Sequence, residues 1–368
     1  MAHLLEGIEA YDVETARLRT RVLVRAATTP QQLSAVTPLL LVHGNCSSSL
    51  YFQRLMLALD FPTIAVDLRG YGGSDPAPVD ATRGLRDFSD DLLALLDTLR
   101  MSRVHLFGWS MGGGVVAQAT IDAPGRVASL TLQAPLSPYG FGGTDQHGRL
   151  VFADGAGSGA GGVNPRFVEL IAAGDGDGVP GADGAPESTS PRATVRGLYV
   201  APRAQPWPDE DLWVASLLTT VTGPDNYPGD AVSSPHWPGS APGGRGVANA
   251  MSPIYCRWDG LVDVNPKPPL LWLHGDADLI VSDTSLLDLA TLGSLGLVPG
   301  WPGGGEFPPQ PMLSQTRQVL TRYGQAGGRW REVSLAGIGH SPHLEDQPQV
   351  IEELLTHLDG RLPTGSPA

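Results

Sequence analysis

The sequence predicts an α/β fold in which a mostly parallel sheet is flanked by helices and interrupted by a large inserted cap. Three observations lead there. Short apolar runs alternate with helix-length amphipathic segments between residues 20 and 140. A long stretch rich in glycine and proline breaks that rhythm. Sheet-like runs then return towards the C-terminus. The chain divides accordingly into a first core segment, residues 1–136, an inserted cap, 137–262, and a second core segment, 263–368.

The first core segment reads as the strands TRVLVRA, PLLLVHG, FPTIAVD, VHLFGWS and VASLTLQAP, with helices between the later ones. From Gly84 to Arg100 the residues Leu85, Phe88, Leu92, Leu95, Leu96 and Leu99 recur at helical spacing. A second helix starts at Ser110 and stops before Pro124-Gly125. The insertion holds helical pieces, PRFVELIAA and DEDLWVASLLTTV, between loops such as DGAGSGAGG and HWPGSAPGGRG. Its tryptophans, Trp207, Trp213, Trp237 and Trp258, are too many large apolar groups for a disordered tether. In the second core segment the strands are PPLLWLHGDADLIV and REVSLAGIGH, separated by the excursion LGLVPGWPGGGEFPPQPM. Pro348 opens a last helix whose Val350, Ile351, Leu354, Leu355 and Leu358 form one stripe. No internal repeat is present.

Composition excludes several function classes. With 368 residues, 41% of them hydrophobic, the chain can bury a large core. No apolar run approaches the roughly 18 to 20 residues that span a bilayer, and no basic, then greasy, leader opens the chain, so a soluble cytoplasmic protein is expected. The balance of 38 acidic against 24 basic residues, a formal charge of -14, disfavours nucleic acid and anionic membrane as partners. A small molecule is the expected partner, with a homo-oligomer through the cap as a further option. Cys46 and Cys256 have no metal-ligand spacing and read as reduced thiols.

The chemistry concentrates at GWSMGGG, residues 108–114, where Ser110 sits between a strand and a helix in the chain's only G-x-S-x-G. Gly108 and Gly112 let neighbouring backbone approach a tight turn. The helix N-terminus favours negative charge beside the hydroxyl. A free hydroxyl is a poor nucleophile and needs a base with an orienting group. LAGIGHSPHLED supplies His340, and LLWLHGDADLIV supplies Asp276 and Asp278, each directly after a strand. His343 is the competing base and Asp276 the competing carboxylate. His343, Glu345 and Asp346 suit ordering of the loop or the next helix. His43 and His274 read as packing and hydrogen-bonding residues.

The pieces HGN (His43 to Asn45), DLRGYGGSD (Asp67 to Asp75), GWSMGG (Gly108 to Gly113), HGDADLIV (His274 to Val281) and GIGHSPHLE (Gly337 to Glu345) occur in that order, and in this the sequence resembles the α/β-hydrolase superfamily. The spacing of Gly275, Asp278 and Val281 matches that superfamily's acid motif. The resemblance implies Ser110 as nucleophile, His340 as general base and then acid, and Asp278 as the carboxylate that holds the imidazole. It also implies an oxyanion hole from the N–H groups of Asn45 and Met111. HGN is reminiscent of haloalkane dehalogenases, but those enzymes and the related epoxide hydrolases use an aspartate where this chain has Ser110.

The function expected is a serine hydrolase that cleaves a carboxylic ester or lactone of a bulky, mainly apolar substrate through an acyl-enzyme, without metal or cofactor. The alternatives are C-C hydrolysis, perhydrolysis or acyl transfer on the same fold, and a ligand-binding receptor that has lost turnover. Trp109, Trp207, Trp213, Trp258 and Leu136 are candidates for the substrate pocket, although Trp109 equally suits core packing and the cap tryptophans suit the cap's own core better than a substrate platform. DGDGVPGADG, from Asp175 to Gly184, lacks the central glycine and final glutamate of an EF-hand loop and reads as a solvated acidic loop. The glycine-rich run from Gly155 to Gly162 is not followed by the Lys and Ser/Thr of a phosphate loop.

Overall fold

The computed structural model describes residues 3–360 apart from Ser34 and Ala204. Eight strands form one sheet: β1 Ile8–Glu14, β2 Arg19–Arg25, β3 Leu39–Val42, β4 Thr63–Val66, β5 Val104–Trp109, β6 Val127–Gln133, β7 Leu270–Gly275 and β8 Trp330–Leu335. Their order across the sheet is β1-β2-β4-β3-β5-β6-β7-β8. From β4 to β8 every pairing is parallel, and β2 is antiparallel to both of its neighbours.

The mostly parallel sheet expected from sequence is therefore present, and its burial explains why its strands read so clearly. β3 (LLLV), β4 (TIAV) and β7 (LLWLHG) are buried at every position, as strands covered on both faces must be. The expected strands carry β2 to β8, whereas β1 was not expected. Its hairpin with β2 runs from Ile8 opposite Arg25 to Glu14 opposite Arg19. As an edge strand it keeps Glu9 and Glu14 in solvent, and those acidic side chains mask its alternation while protecting the edge.

Two helices cover the faces near the sheet centre. α1, Arg86–Thr98, buries Phe88, Leu92, Leu95 and Leu96 from the expected stripe. α2, Met111–Asp122, is buried along nearly its whole length and contacts α1 as well as β5. Such a helix shows no polar face, which is why its start and stop signals are more informative than its periodicity.

Residues 134–269, between β6 and β7, carry α3, Pro165–Ala173, and α4, Glu210–Leu217, with a π turn at Val195–Tyr199 between them and two short ribbons after α4. α4 rests on the loop after β3: the Ser48 and Ser216 hydroxyls lie 2.6 Å apart, and the Tyr51 hydroxyl donates to Trp213 O at 3.2 Å. Between β7 and β8 the structure adds α5, Met312–Gln325, which was not expected. Its buried face includes Gln315 and Thr316, so polar residues stand where a sequence pattern would need apolar ones. α6, Gln347–Leu358, closes the fold with the Asp346 carboxylate accepting from Gln349 N as its N-cap.

This strand order places a topological switch between β3 and β5, because the chain leaves β3 towards β4 and returns on the other side as β5. The carboxyl ends of two such strands border a crevice that their connections do not fill. Gly44 and Asn45 follow β3 there, and Ser110 follows β5.

α2 reaches this crevice only because residue 112 is glycine. A Cβ at Gly112 would fall on the carbonyls of Val42 and His43, backbone atoms that cannot rotate aside. Gly112→Ala should therefore lower stability by about 3 kcal/mol through overpacking. Urea unfolding should show an earlier midpoint at unchanged slope, and an unchanged midpoint would mean that β3 is not packed against α2 as described.

Candidate active site

Ser110 has φ 57° and ψ −123°, a conformation that side-chain-bearing residues rarely hold and that costs about 1–3 kcal/mol. Its neighbours enforce it. Ser110 N donates to Gln133 O at 3.0 Å, and Ser110 O accepts from Gly113 N and Leu136 N, each at 2.9 Å. The end of β6 thus clamps the turn from one side. On the other, a Cβ added at Gly44 would lie 2.8 Å from Ser110 Cβ, so the loop after β3 touches the serine directly. An ordinary N-cap serine would accept a bond from its own helix, but the Ser110 side chain makes no capping bond. Ser110 lines a cavity.

His340 and Asp278 meet behind this turn. His340 Nδ1 is 2.8 Å from Asp278 Oδ2, and both side chains are almost fully buried. Asp278 Oδ1 accepts from Ile280 N at 2.7 Å and Val281 N at 3.0 Å, which fixes the carboxylate. With Nδ1 donating to a carboxylate, Nε2 is the nitrogen left with a lone pair. Trp109 Nε1 donates to His340 O at 2.8 Å, tying the histidine loop to the residue before Ser110. Among the described residues, no hydrogen bond joins the Ser110 hydroxyl to the His340 ring. Asp276, the competing carboxylate, is exposed and accepts from Gly337 N at 2.7 Å.

Two residues that line this cavity carry unpaired backbone donors among the described residues. Met111 N belongs to the first turn of α2 and Asn45 N to the loop after β3; among the described residues neither has a protein acceptor, and both residues line the cavity. Tyrosines hold the Asn45 loop in place. The Tyr71 hydroxyl donates to Asn45 Oδ1 at 2.6 Å, and the Tyr199 hydroxyl donates to Asn45 O at 2.9 Å and Cys46 O at 3.2 Å. Burial raises the pKa of both hydroxyls well above the usual tyrosine range and keeps them protonated donors. Neither tyrosine was singled out from sequence. Tyr71 lies inside DLRGYGGSD, but nothing around Tyr199 in RGLYV marks it.

The cavity measures about 370 Å³. Phe141, Phe167, Leu198, Met251, Ile280 and Leu292 contribute to its apolar wall, and among the described residues no Asp, Glu, Lys or Arg lines it. Of the expected pocket residues Leu136 borders it, but the four tryptophans do not. Trp109 is committed to His340 O, and Trp258 is buried with Nε1 donating to Leu136 O at 2.9 Å. Trp213 stacks on Tyr51, while Trp207 lies against Trp213 under the Arg203 guanidinium. Large rings with one polar atom are spent here as internal supports, and smaller side chains form the wall.

Other conspicuous residues have structural partners. His43 Nε2 accepts from Leu68 N at 3.0 Å, and His274 Nε2 lies 2.9 Å from Glu332 Oε1. Burial pushes the Cys46 and Cys256 thiols up to about 12, which leaves them protonated and unreactive. In the acidic loop Asp175 Oδ1 accepts from Asp177 N and Gly178 N, and among the described residues no cluster of potential metal ligands forms. Glu345 orders the histidine loop: its carboxylate accepts from Gly339 N at 3.0 Å, Ser341 N at 3.2 Å and Ala201 N at 2.8 Å.

Residues 37–162, which include β3 to β6 and Ser110, match the family model described as the alpha/beta hydrolase fold. The acetyltransferase component of the acetoin cleaving system of Pseudomonas putida is 37% identical over 139 residues, covering 37% of this chain and 36% of that protein. The chain spans about a third of the length of the curated relatives it matches. A serine hydrolase from Cycloclasticus zankles superposes with a TM-score of 0.59 over 97% of this chain and 100% of that one, at 14% identity. An esterase from Rhodococcus does so with a TM-score of 0.54 over 95% and 98%, at 19% identity. These structural likenesses establish the fold. The chain has the α/β-hydrolase fold.

Beneath the site His343 is buried between Phe52 and Trp109, with its Nδ1 2.7 Å from Gln133 Nε2. Burial, helped by the neighbouring His340, pushes its pKa down to about 3. A folded value below the unfolded value of about 6.5 means that the unfolded chain binds the extra proton. Stability from this residue is therefore full above pH 6.5 and is lost as pH falls towards 3. Between pH 6 and 4, His343→Gln should flatten the pH dependence of unfolding free energy by about 1.4 kcal/mol per pH unit. Urea midpoints across that range measure it; identical slopes in the two proteins would show that His343 is not held neutral.

Proposed function

We propose that this chain is a serine hydrolase of uncharged carboxylic esters, lactones included, with Ser110, His340 and Asp278 as its triad. The observation that carries the reading is a serine at a clamped strand-to-helix turn, its hydroxyl uncapped, beside two backbone N–H groups without acceptors. The Asp278–His340 pair supplies the base.

In the proposed reaction His340 Nε2 removes the Ser110 proton as Oγ attacks the ester carbonyl. The Asn45 and Met111 N–H groups stabilise the tetrahedral oxyanion. His340 then gives its proton to the leaving alkoxide, which departs as the alcohol and leaves an acyl group on Ser110. Water, deprotonated by the same nitrogen, repeats the sequence and releases the carboxylic acid. Asp278 keeps Nδ1 protonated throughout and stabilises the imidazolium. The Ser110–His340 bond has to close when substrate fills the cavity, as catalytic hydrogen bonds commonly tighten in the Michaelis complex.

Residues 137–262 act in this reading as a cap, because they supply Phe141, Phe167, Leu198 and Met251 to the cavity wall. With no charged side chain in that wall, a substrate carboxylate would lose its hydration without gaining a partner. The unmade Ser110–His340 bond favours one second reading, a receptor that holds a similar ligand without turning it over.

A panel of esters, lactones and amides, read by product mass, tests the proposal. Wild type should turn over neutral esters, Ser110→Ala should not, and Asp278→Asn should lower kcat by roughly 10⁴. A neutral hexanoate ester should exceed the matching hemiadipate in kcat/KM by roughly 100-fold, since burying an unpaired carboxylate costs several kcal/mol. Turnover by Ser110→Ala, or equal rates for the two esters, would contradict the assignment. Ligand retained at one equivalent without product would select the receptor.

A further inference from the structure

Tyr199 and Ala201 lie two residues apart in the segment between β6 and β7, yet they bind opposite sides of the site. The Tyr199 hydroxyl donates to the carbonyls of Asn45 and Cys46, on the loop that presents the Asn45 N–H to the cavity. Ala201 N donates to Glu345 Oε2, and that oxygen also accepts from Gly339 N while Oε1 accepts from Ser341 N. Gly339 and Ser341 are the two neighbours of His340. Three residues of one strand of chain thus touch the oxyanion loop at one end and the carboxylate that brackets His340 at the other.

The strap is rigid where it needs to be. Tyr199 closes a π turn, Val195–Tyr199, a rare local geometry that recurs at functional sites. Its ring lies edge-on to Trp109 at 5.8 Å and 6.3 Å from the His340 ring, so ring packing and hydroxyl bonding point it the same way. The Asn45 loop is held against local strain: Cys46 sits at φ 48°, an unfavourable value for a residue with a side chain.

We propose that Tyr199–Ala201 is a strap that sets the distance between the oxyanion donor of the Asn45 loop and the His340 imidazole, with Tyr199 and Glu345 as positioning residues. The inference rests on the hydrolase reading for its catalytic consequence, but the strap itself is a statement about how two loops are held. In the strap reading, inserted chain and catalytic core are coupled: a segment that is not part of the sheet determines whether the donor and the base are aligned together. A misplacement of a fraction of an ångström at such a site costs roughly 10-fold or more in rate.

Tyr199→Phe keeps the ring and removes only the hydroxyl; Glu345→Gln keeps the shape and removes the charge that three N–H groups share. Both variants should fold, lower kcat roughly 10-fold or more and leave KM within about two-fold, because the ground-state pocket is intact. A trifluoromethyl ketone, which forms an oxyanion on Ser110, should lose affinity by the same factor as kcat/KM, whereas the parent methyl ketone should bind unchanged. Amide exchange followed by mass spectrometry supplies a readout that needs no turnover. Exchange should quicken in residues 43–48 of Tyr199→Phe and in residues 337–343 and 199–203 of Glu345→Gln.

Wild-type kcat in both variants, or unaltered exchange in those segments, would overturn the strap. So would a rate loss that only tracks the unfolded fraction, measured from each variant's urea midpoint. If the wild type turns over no ester, the hydrolase reading fails by itself, and the exchange data still decide whether the strap exists.

Discussion

The site depends on one constraint, the positive-φ backbone at Ser110. A strand that ends buried in the sheet centre must become a buried helix within one residue, and no relaxed conformation does this. The turn survives because three surrounding pieces leave it no alternative: Gln133 and Leu136 bond its N–H and C=O, Gly44 and Gly112 admit the loop after β3, and Trp109 bonds the carbonyl of His340. The same clamps that impose the strain aim the hydroxyl away from its own helix and bring the histidine loop beside it. The strain, the uncapped Ser110 hydroxyl and the placement of the His340 loop are therefore one structural fact seen from three sides.

Strand order supplies the rest of the geometry. Because the chain reverses its direction of travel across the sheet between β3 and β5, the loops after those strands diverge and leave a crevice, with backbone N–H groups on either side of Ser110. The segment between β6 and β7 and the loop after β7 then wall the crevice into a cavity without charge. Fold and inserted segment divide the work. The sheet fixes where Ser110 and the Asp278–His340 pair sit, and the connections line the cavity beside them.

What the sequence made legible follows from how local each constraint is. Strands β2 to β8 were visible because burial on both faces demands unbroken apolar runs, and GWSMGGG was visible because a tight turn beside packed backbone demands glycine. β1 escaped because an edge strand is free to be acidic, and α5 because its inward face uses Gln315 and Thr316. The spacing of Gly275, Asp278 and Val281 separated two neighbouring aspartates, and in the structure Asp278 is the one paired with His340 while Asp276 ties down Gly337. Tyr199 was illegible since its role comes from a contact across 154 residues that leaves no local pattern. The tryptophans left two readings open for a related reason: composition reports that large rings are present, and only packing shows that they serve as internal supports.

The central claim is that the Ser110 hydroxyl is an activated nucleophile. It is tested most directly by incubating the folded protein with an uncharged alkyl fluorophosphonate and locating any adduct by peptide mass. One equivalent of adduct, confined to the peptide that carries Ser110, is the expected result. No adduct on folded protein, or an adduct on another residue, would contradict the account.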